Sequence, residues 1–207
     1  LADVPAEQFG ATKPERWLDI AAGPGGKAAL LGAIAGGAGQ RLLANEIAPH
    51  RAELVEHAVA AVNSMYPGTV TVRTGDGRNL PDELAGQFDR VLLDAPCTGL
   101  GALRRRPEAR WRRTPSDLAQ LTVLQRDLLA AALALVRPGG VVAYVTCSPH
   151  VAETLAVVSD SDAEPLDTQK ILAPYLGELA GAGPHVQLWP HIHGTDAMFI
   201  ALLRRSA

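Results

Sequence analysis

Two cysteines, Cys97 and Cys147, are all that this 207-residue sequence contains. They are too few for a disulfide framework, and their spacing matches no zinc-binding pattern. Long apolar runs are also missing. Gly, Pro or charge interrupts every apolar stretch within roughly 10 residues, too short to span a bilayer, so no membrane partner is expected. The chain starts at Leu1 rather than Met, and no basic region followed by an apolar core marks a secretory signal. With so few cysteines, a reducing, cytoplasmic location is expected. The net charge of −3 describes no polycation and argues against binding dominated by non-specific phosphate attraction. Internal repeats, heptads and low-complexity tracts are absent. His191 and His193 alternate as strand-borne metal ligands do, but no third ligand clusters with them, so no metal is expected. Ser148 lacks the Gly-x-Ser-x-Gly setting of a serine hydrolase.

What is present describes an ordinary globular domain with a substantial core: 47% hydrophobic and 20% charged residues. Residues 16–20 read as a strand running into the glycine-rich turn Ala22-Gly23-Pro24-Gly25-Gly26-Lys27, followed by a helix to about Ala35. Residues 41–47 form a second strand. The helical spacing over 49–65 puts Ala52, Val55, Val59 and Val62 on one face. Further strands are expected at 70–73 and 88–93. A long helix capped by Thr114 or Ser116 runs to about Arg137, with Pro138-Gly139-Gly140 as its stop. An all-apolar strand follows at 141–145, then a short helix at 152–158, a loop at 159–167 and two last strands at 186–189 and 198–203. Alternating strands and helices predict an α/β sheet with helices on both faces. Residues 1–15 read as a lead-in and 16–207 as one domain, expected to be monomeric.

In such a sheet, ligands bind outside the carboxyl ends of the strands. Every unusual segment falls at one of those ends: Gly23 to Lys27, Glu46, Asp76-Gly77, Asp94 to Cys97 and Thr146 to Ser148. The glycine turn exposes amides at a helix N-terminus but is neither the dinucleotide fingerprint nor a Walker loop. Glu46 lies 20 residues beyond Gly26, where a carboxylate accepts from ribose hydroxyls. Asp76 is positioned to accept from an adenine amino group. The three features together favour an adenosine-bearing cofactor.

Cysteines at two strand ends fit a particular covalent chemistry. Cytosine C5 is a poor nucleophile until a thiolate adds to C6 and turns the ring into an enamine. Methylation at C5, loss of the C5 proton and expulsion of sulfur then restore the ring. The reaction needs a thiolate, a group beside cytosine N3 and a base. Asp94 is the N3 candidate, protonated or sharing a proton in a desolvated site. Lys27 or the arginines could lower a thiol pKa from about 8.5. Position alone leaves Cys97 and Cys147 equal. Arg104, Arg105, Arg106, Arg110, Arg112 and Arg113 crowd into ten residues with Trp111, beside the Pro-Cys segment. Arg104, Arg105, Arg106, Arg110 and Trp111 are the candidate RNA contacts, through phosphate pairing and stacking.

Four segments resemble the RNA 5-methylcytosine methyltransferases of the Sun, Fmu or RsmB type. They are Asp19-Ile-Ala-Ala-Gly-Pro-Gly-Gly-Lys27, Asp94-Ala-Pro-Cys-Thr-Gly-Leu-Gly101 with Arg105 to Trp111, Tyr144-Val-Thr-Cys-Ser148, and Trp189 to Phe199. The resemblance implies a class I, Rossmann-like methyltransferase fold with seven mostly parallel strands in the order 3-2-1-4-5-7-6. It implies S-adenosylmethionine as cofactor, held by Ala22 to Lys27, Glu46, Arg51, Asp76, Gly77 and Asp94. It makes Cys147 the nucleophile and Cys97 the group that assists release, with Asp94 as the third catalytic residue. RNA, ribosomal RNA first, is the implied substrate. The alternatives are a cytosine methyltransferase of transfer RNA or DNA, or a ribosome-assembly protein that keeps the fold and binds RNA. The N-terminal RNA-binding domain of the bacterial members is not among these 207 residues.

Overall fold

A computed structural model describes residues 14–177, 179 and 183–206. Strands β1 (Arg16–Asp19), β2 (Arg41–Glu46), β3 (Val70–Thr74), β4 (Phe88–Asp94), β5 (Val136–Thr146), β6 (Glu164–Pro165), β7 (Val186–Gln187) and β8 (Phe199–Arg204) form one sheet. Its order is β3-β2-β1-β4-β5-β8-β6, with β7 also on β8. The first five strands are parallel; β8 runs antiparallel to β5. This is the expected strand order. Eight strands replace seven because two two-residue strands share the outer edge of β8.

Helices α1 (Gly26–Gly37), α2 (Pro49–Met65), α3 (Ala109–Arg112), α4 (Pro115–Leu135), α5 (Leu155–Ser159), α6 (Thr168–Leu176) and α7 (Pro190–His193) connect the strands. Side chains alternate across the sheet with the two-residue period of a strand. Leu18, Ile20, Val91, Leu93, Val142 and Tyr144 meet α4 and α5 on one face. Trp17, Leu42, Ala44 and Val70 meet Ala28 and Ala35 of α1 and Val55 and Val59 of α2 on the other. Each fully buried Leu- or Val-sized side chain contributes roughly 1.5–3 kcal/mol. Thr114 caps α4 in a reciprocal box with Asp117. By length and composition α4 is long and apolar enough to cross a membrane, though Asp117, Arg126 and Asp127 interrupt it; its Leu128, Leu129, Ala132 and Leu135 lie in the core.

The amino end of the sheet is closed by ions. Glu15 and Arg90 are both buried, at 3% exposure each. Arg90 donates to Glu15 through Nε (2.6 Å) and a terminal nitrogen (2.9 Å), and Trp17 Nε1 donates to the same carboxylate at 2.6 Å. Burial opposes ionisation of Glu15, but the bonds from Arg90 and Trp17 hold its pKa below the ordinary value.

Four sequence expectations need correction. The long helix stops at Leu135, two residues before Arg137, and 136–140 belongs to β5. There the register against β4 shifts between Phe88 and Arg90, so Pro138-Gly139-Gly140 bulges out of the ladder instead of ending a helix. The expected loop at 159–167 contains β6, which pairs with β8, and α6 follows it unforeseen. The strand expected at 186–189 lasts two residues, because Pro190 turns the chain into α7. His191 and His193 therefore lie on a helical turn and not on a strand face, and His193 Nδ1 accepts from the Trp189 amide at 2.9 Å.

Candidate active site

The carboxyl ends of β1, β2, β4 and β5 converge on a cleft of about 680 Å³. Ile20, Gly23, Glu46, Asp76, Asp94, Cys97 and Cys147 all line it. A second cavity of about 280 Å³ lies under the glycine turn, between Asp19, Lys27 and Asp94. Another cleft of about 610 Å³ between α4, α5 and Arg205 holds none of the expected residues.

The glycine turn packs tightly on β2. Gly23 donates its amide to Glu46 Oε2 at 2.9 Å and accepts from Arg51 at 2.6 Å. A Cβ at Gly23 would lie 2.2 Å from Glu46 Oε2 and 2.9 Å from Arg51. Glycine is thus what this pair requires at position 23. Glu46 is 2% exposed, and its other oxygen accepts from the Ala48 amide at 3.0 Å. Asp76 caps the 3-10 turn Gly77–Asn79 and is gripped by Arg78, whose bonds hold its pKa low. Asp19, quoted in the glycine motif but not singled out from sequence, is 1% exposed. Burial pushes its pKa up to about 7, with Asp94 and Glu46 adding repulsion. Its Oδ2 has no hydrogen-bond partner. A turn of exposed amides beside three carboxylates, one with an unpartnered buried oxygen, suits a cofactor that carries positive charge next to a nucleoside.

The two cysteines come together. β4 and β5 are neighbours, with Asp94 opposite Val145, so the residues that follow them enter the cleft side by side. Cys97 Sγ and Cys147 Sγ are 3.3 Å apart. The hydrogen bond from Cys97 holds Cys147 down to about 7, against burial and the repulsion of Asp94. The same bond, with burial, pushes Cys97 up. The pair therefore loses its first proton near neutral pH, with the remaining proton held between the two sulfurs. The expected cations have other roles. Lys27 Nζ is 2.6 Å from Asp94 Oδ2, an ion pair on the carboxylate expected to share a proton with a base.

Three loops are locked around the sulfurs. Gly101 donates to the Cys147 carbonyl (2.8 Å) and accepts from the Ala197 amide (2.9 Å). A Cβ at Gly101 would lie 2.1 Å from the Ala197 carbonyl oxygen, so no larger residue fits this crossing.

The arginine cluster divides. Arg105 pairs with Asp196, and Arg104 donates to the Gly194 carbonyl at 3.1 Å, so both fasten the 194–196 loop. Arg110 stacks over the ring of its neighbour Trp111 at 5.6 Å, and Trp111 is 77% exposed. Arg106 lines the cleft, together with Arg112 and Arg113, which were left out of the sequence-derived contact set. Their position shows only once the loop folds back over the cysteines, with Arg113 Nε donating to the Thr98 carbonyl at 3.1 Å. Among the described residues, no cluster of His, Cys, Asp or Glu could hold a metal ion.

A doubly wound sheet of this order with a glycine turn at its first strand is the class I, S-adenosylmethionine-dependent methyltransferase fold. Residues 9–204 match the family of 16S rRNA methyltransferases RsmB/F, and the chain belongs to that family. It is 56% identical over 194 residues to a Mycobacterium tuberculosis (strain H37Rv) protein provisionally named as a methyltransferase, covering 92% of this chain and 40% of the relative. It is 34% identical to the ribosomal RNA small subunit methyltransferase B of Photorhabdus laumondii, covering 92% of this chain and 42% of that protein. The crystal structure of NSun6 from Pyrococcus horikoshii with SFG superposes with a TM-score of 0.77 at 26% identity, covering all of this chain and 52% of that one. The chain thus spans about 40% of the length of the curated relatives it matches.

Proposed function

We propose that this chain transfers a methyl group to C5 of cytosine in RNA, with ribosomal RNA as the substrate and a Cys147–C6 adduct on the way. The observation that carries the reading is the sulfur pair: two thiols 3.3 Å apart, one poised to ionise, in the cleft that the glycine turn also lines. Ala22 to Lys27, Glu46, Arg51, Asp76, Gly77 and Asp19 are the residues to hold S-adenosylmethionine, which when bound supplies an electrophilic methyl group.

The chain's own groups divide the remaining work. Cys147 Sγ adds to C6 as a thiolate, and the displaced electron pair makes C5 nucleophilic. Negative charge develops on N3 as Cys147 adds; a proton held between Lys27 and Asp94 passes through the Asp94 carboxyl to N3 and returns when Cys147 leaves. After methylation the C5 proton leaves to a base, and its electrons expel Cys147 as a thiolate. Cys97, which keeps its proton beside Cys147, stabilises that leaving thiolate through the same hydrogen bond. Arg106, Arg112 and Arg113 are placed to pair with phosphates flanking the target base. A cytosine in structured RNA must be unpaired or flipped to enter. Ribosomal RNA as substrate implies a cytoplasmic site of action.

Bisulfite sequencing of RNA from cells with and without the gene is expected to reveal a single lost 5-methylcytosine. With purified protein, Cys147→Ala should abolish methyl transfer and leave cofactor affinity intact; retained turnover overturns the assignment. Cys97→Ala should instead accumulate a covalent protein–RNA adduct, read as a slow band on a denaturing gel, and no band counts against the release role.

A further inference from the structure

Glu153 has no part in the chemistry above, yet it is completely buried. It lies on the 3-10 turn Val151–Glu153, six residues after Cys147. Its Oε1 accepts from the Thr98 amide (2.8 Å) and from Gln125 Nε2 (3.1 Å). Its Oε2 accepts from Thr98 Oγ1 (2.5 Å) and Ser148 Oγ (2.6 Å). Its own carbonyl accepts from the Tyr144 hydroxyl at 2.8 Å. Gln125 also donates to the Pro96 carbonyl at 2.8 Å.

Thr98 follows Cys97, and Ser148 follows Cys147. One carboxylate thus joins the residues next to the two sulfurs. All four partners are uncharged donors, and an ionised carboxylate, which only accepts, has room for four. Burying a charge this way is expensive, and apolar side chains of similar volume are often as stabilising or more so. Stability alone therefore does not account for it. A short tie between two reactive loops does.

We propose that Glu153 is a positioning residue that sets the separation of Cys97 and Cys147 by tying Thr98 to Ser148. Glu153 touches neither sulfur, so it acts on Cys147 only through the spacing that lets Cys97 donate to it. The inference rests on the reading of Cys147 as nucleophile for its catalytic meaning, but the spacing itself is testable without RNA.

The test is the pH dependence of alkylation by iodoacetamide on the purified chain, with Cys147 followed by peptide mass mapping. Wild type should show an apparent pKa near 7. Glu153→Gln keeps the size but turns an amide group toward two hydroxyls, and should move the profile up by at least one pH unit. The Cys147 alkylation rate at pH 7 should then fall by about fivefold or more, as the thiolate fraction drops from about a half to about a tenth. Cys97→Ala removes the donor and should give the same upward move, and adding Glu153→Gln to it should change nothing further. Ser148→Ala and Thr98→Val each remove part of the tie and should give smaller moves in the same direction. They decide the matter if Glu153→Gln does not fold. A folded Glu153→Gln, or in its place a folded Ser148→Ala, with the wild-type profile overturns the proposal, as does a full further move in the Cys97→Ala background. If the profiles move as expected but wild type methylates no RNA, the positioning role stands and the functional reading falls.

Discussion

The two ends of the sheet differ in how completely their buried polar groups are paired. At the amino end, the Glu15 carboxylate is met by Arg90 and Trp17, and Asp89 accepts from Arg137 (2.6 Å) and from the Arg16 amide (2.8 Å). At the carboxyl end, Asp19 Oδ2, Gln125 Oε1 and Thr146 Oγ1 are buried without hydrogen-bond partners. Acidic groups are held low at the first end and, at Asp19, pushed up at the second. Where no ligand has to enter, paired ions are consistent with stability. Around the cleft proposed to admit a charged cofactor and a nucleotide, these three polar atoms are left unpaired, at a cost in stability.

The comparison can be broken most forcefully at the amino end. Arg90→Met leaves Glu15 buried with Trp17 as its remaining donor, and should lower unfolding free energy by roughly 3–5 kcal/mol at pH 7. Denaturant titration reads this, and a loss under about 1 kcal/mol would mean the pair is no more than a surface bridge. The pH dependence carries the same contrast. Because the Glu15 pKa is lowered on folding, its contribution is present above the ordinary value of 4.5 and lost as pH falls through the folded value. The Asp19 pKa is raised on folding, so its protonated form favours the native state at low pH. That benefit is lost as pH rises from 3.8 to about 7. Asp19→Asn should flatten this second slope and make the protein more stable than wild type above pH 7, by at most ~4 kcal/mol. The same variant should bind S-adenosylmethionine more weakly in calorimetry. Unchanged stability and unchanged affinity together would remove Asp19 from the site.

The smallest effect sharpens the carboxyl end alone. Arg112→Ala should weaken RNA binding severalfold and reduce the salt slope by about 1, as the loss of one phosphate contact does. Arg105→Ala should change the slope less, because Arg105 already pairs with Asp196. Equal slopes for the two variants would undo the division of the arginine loop.

Much of the fold was legible because its signals are local. The helical face of Ala52, Val55 and Val59, the cap at Thr114 and the strand ending at Asp94 each follow from periodicity or side-chain chemistry over a few residues. The failures were long-range. Pro138-Gly139-Gly140 looks like a helix stop, but Gly139 and Gly140 exchange backbone bonds with Arg205 at the far end of the chain, which keeps the segment in the sheet. β6 and β7 exist only because β8 offers them an edge.

The site divides the same way. The sequence alone determined which residue types reach the carboxyl ends of the strands: the glycine turn, Glu46, Asp94 and two cysteines, each marked by its neighbours in the chain. Only the tertiary structure decided what those residues do to one another. It set the sulfurs 3.3 Å apart, paired Lys27 with Asp94, left Asp19 partly unpaired and placed Glu153 beneath both cysteine loops. Composition and spacing carry side-chain chemistry along the chain. Hydrogen bonds, desolvation and the pKa values that follow from them depend on distances between residues such as Cys97 and Cys147, 50 positions apart, and those distances are fixed by packing.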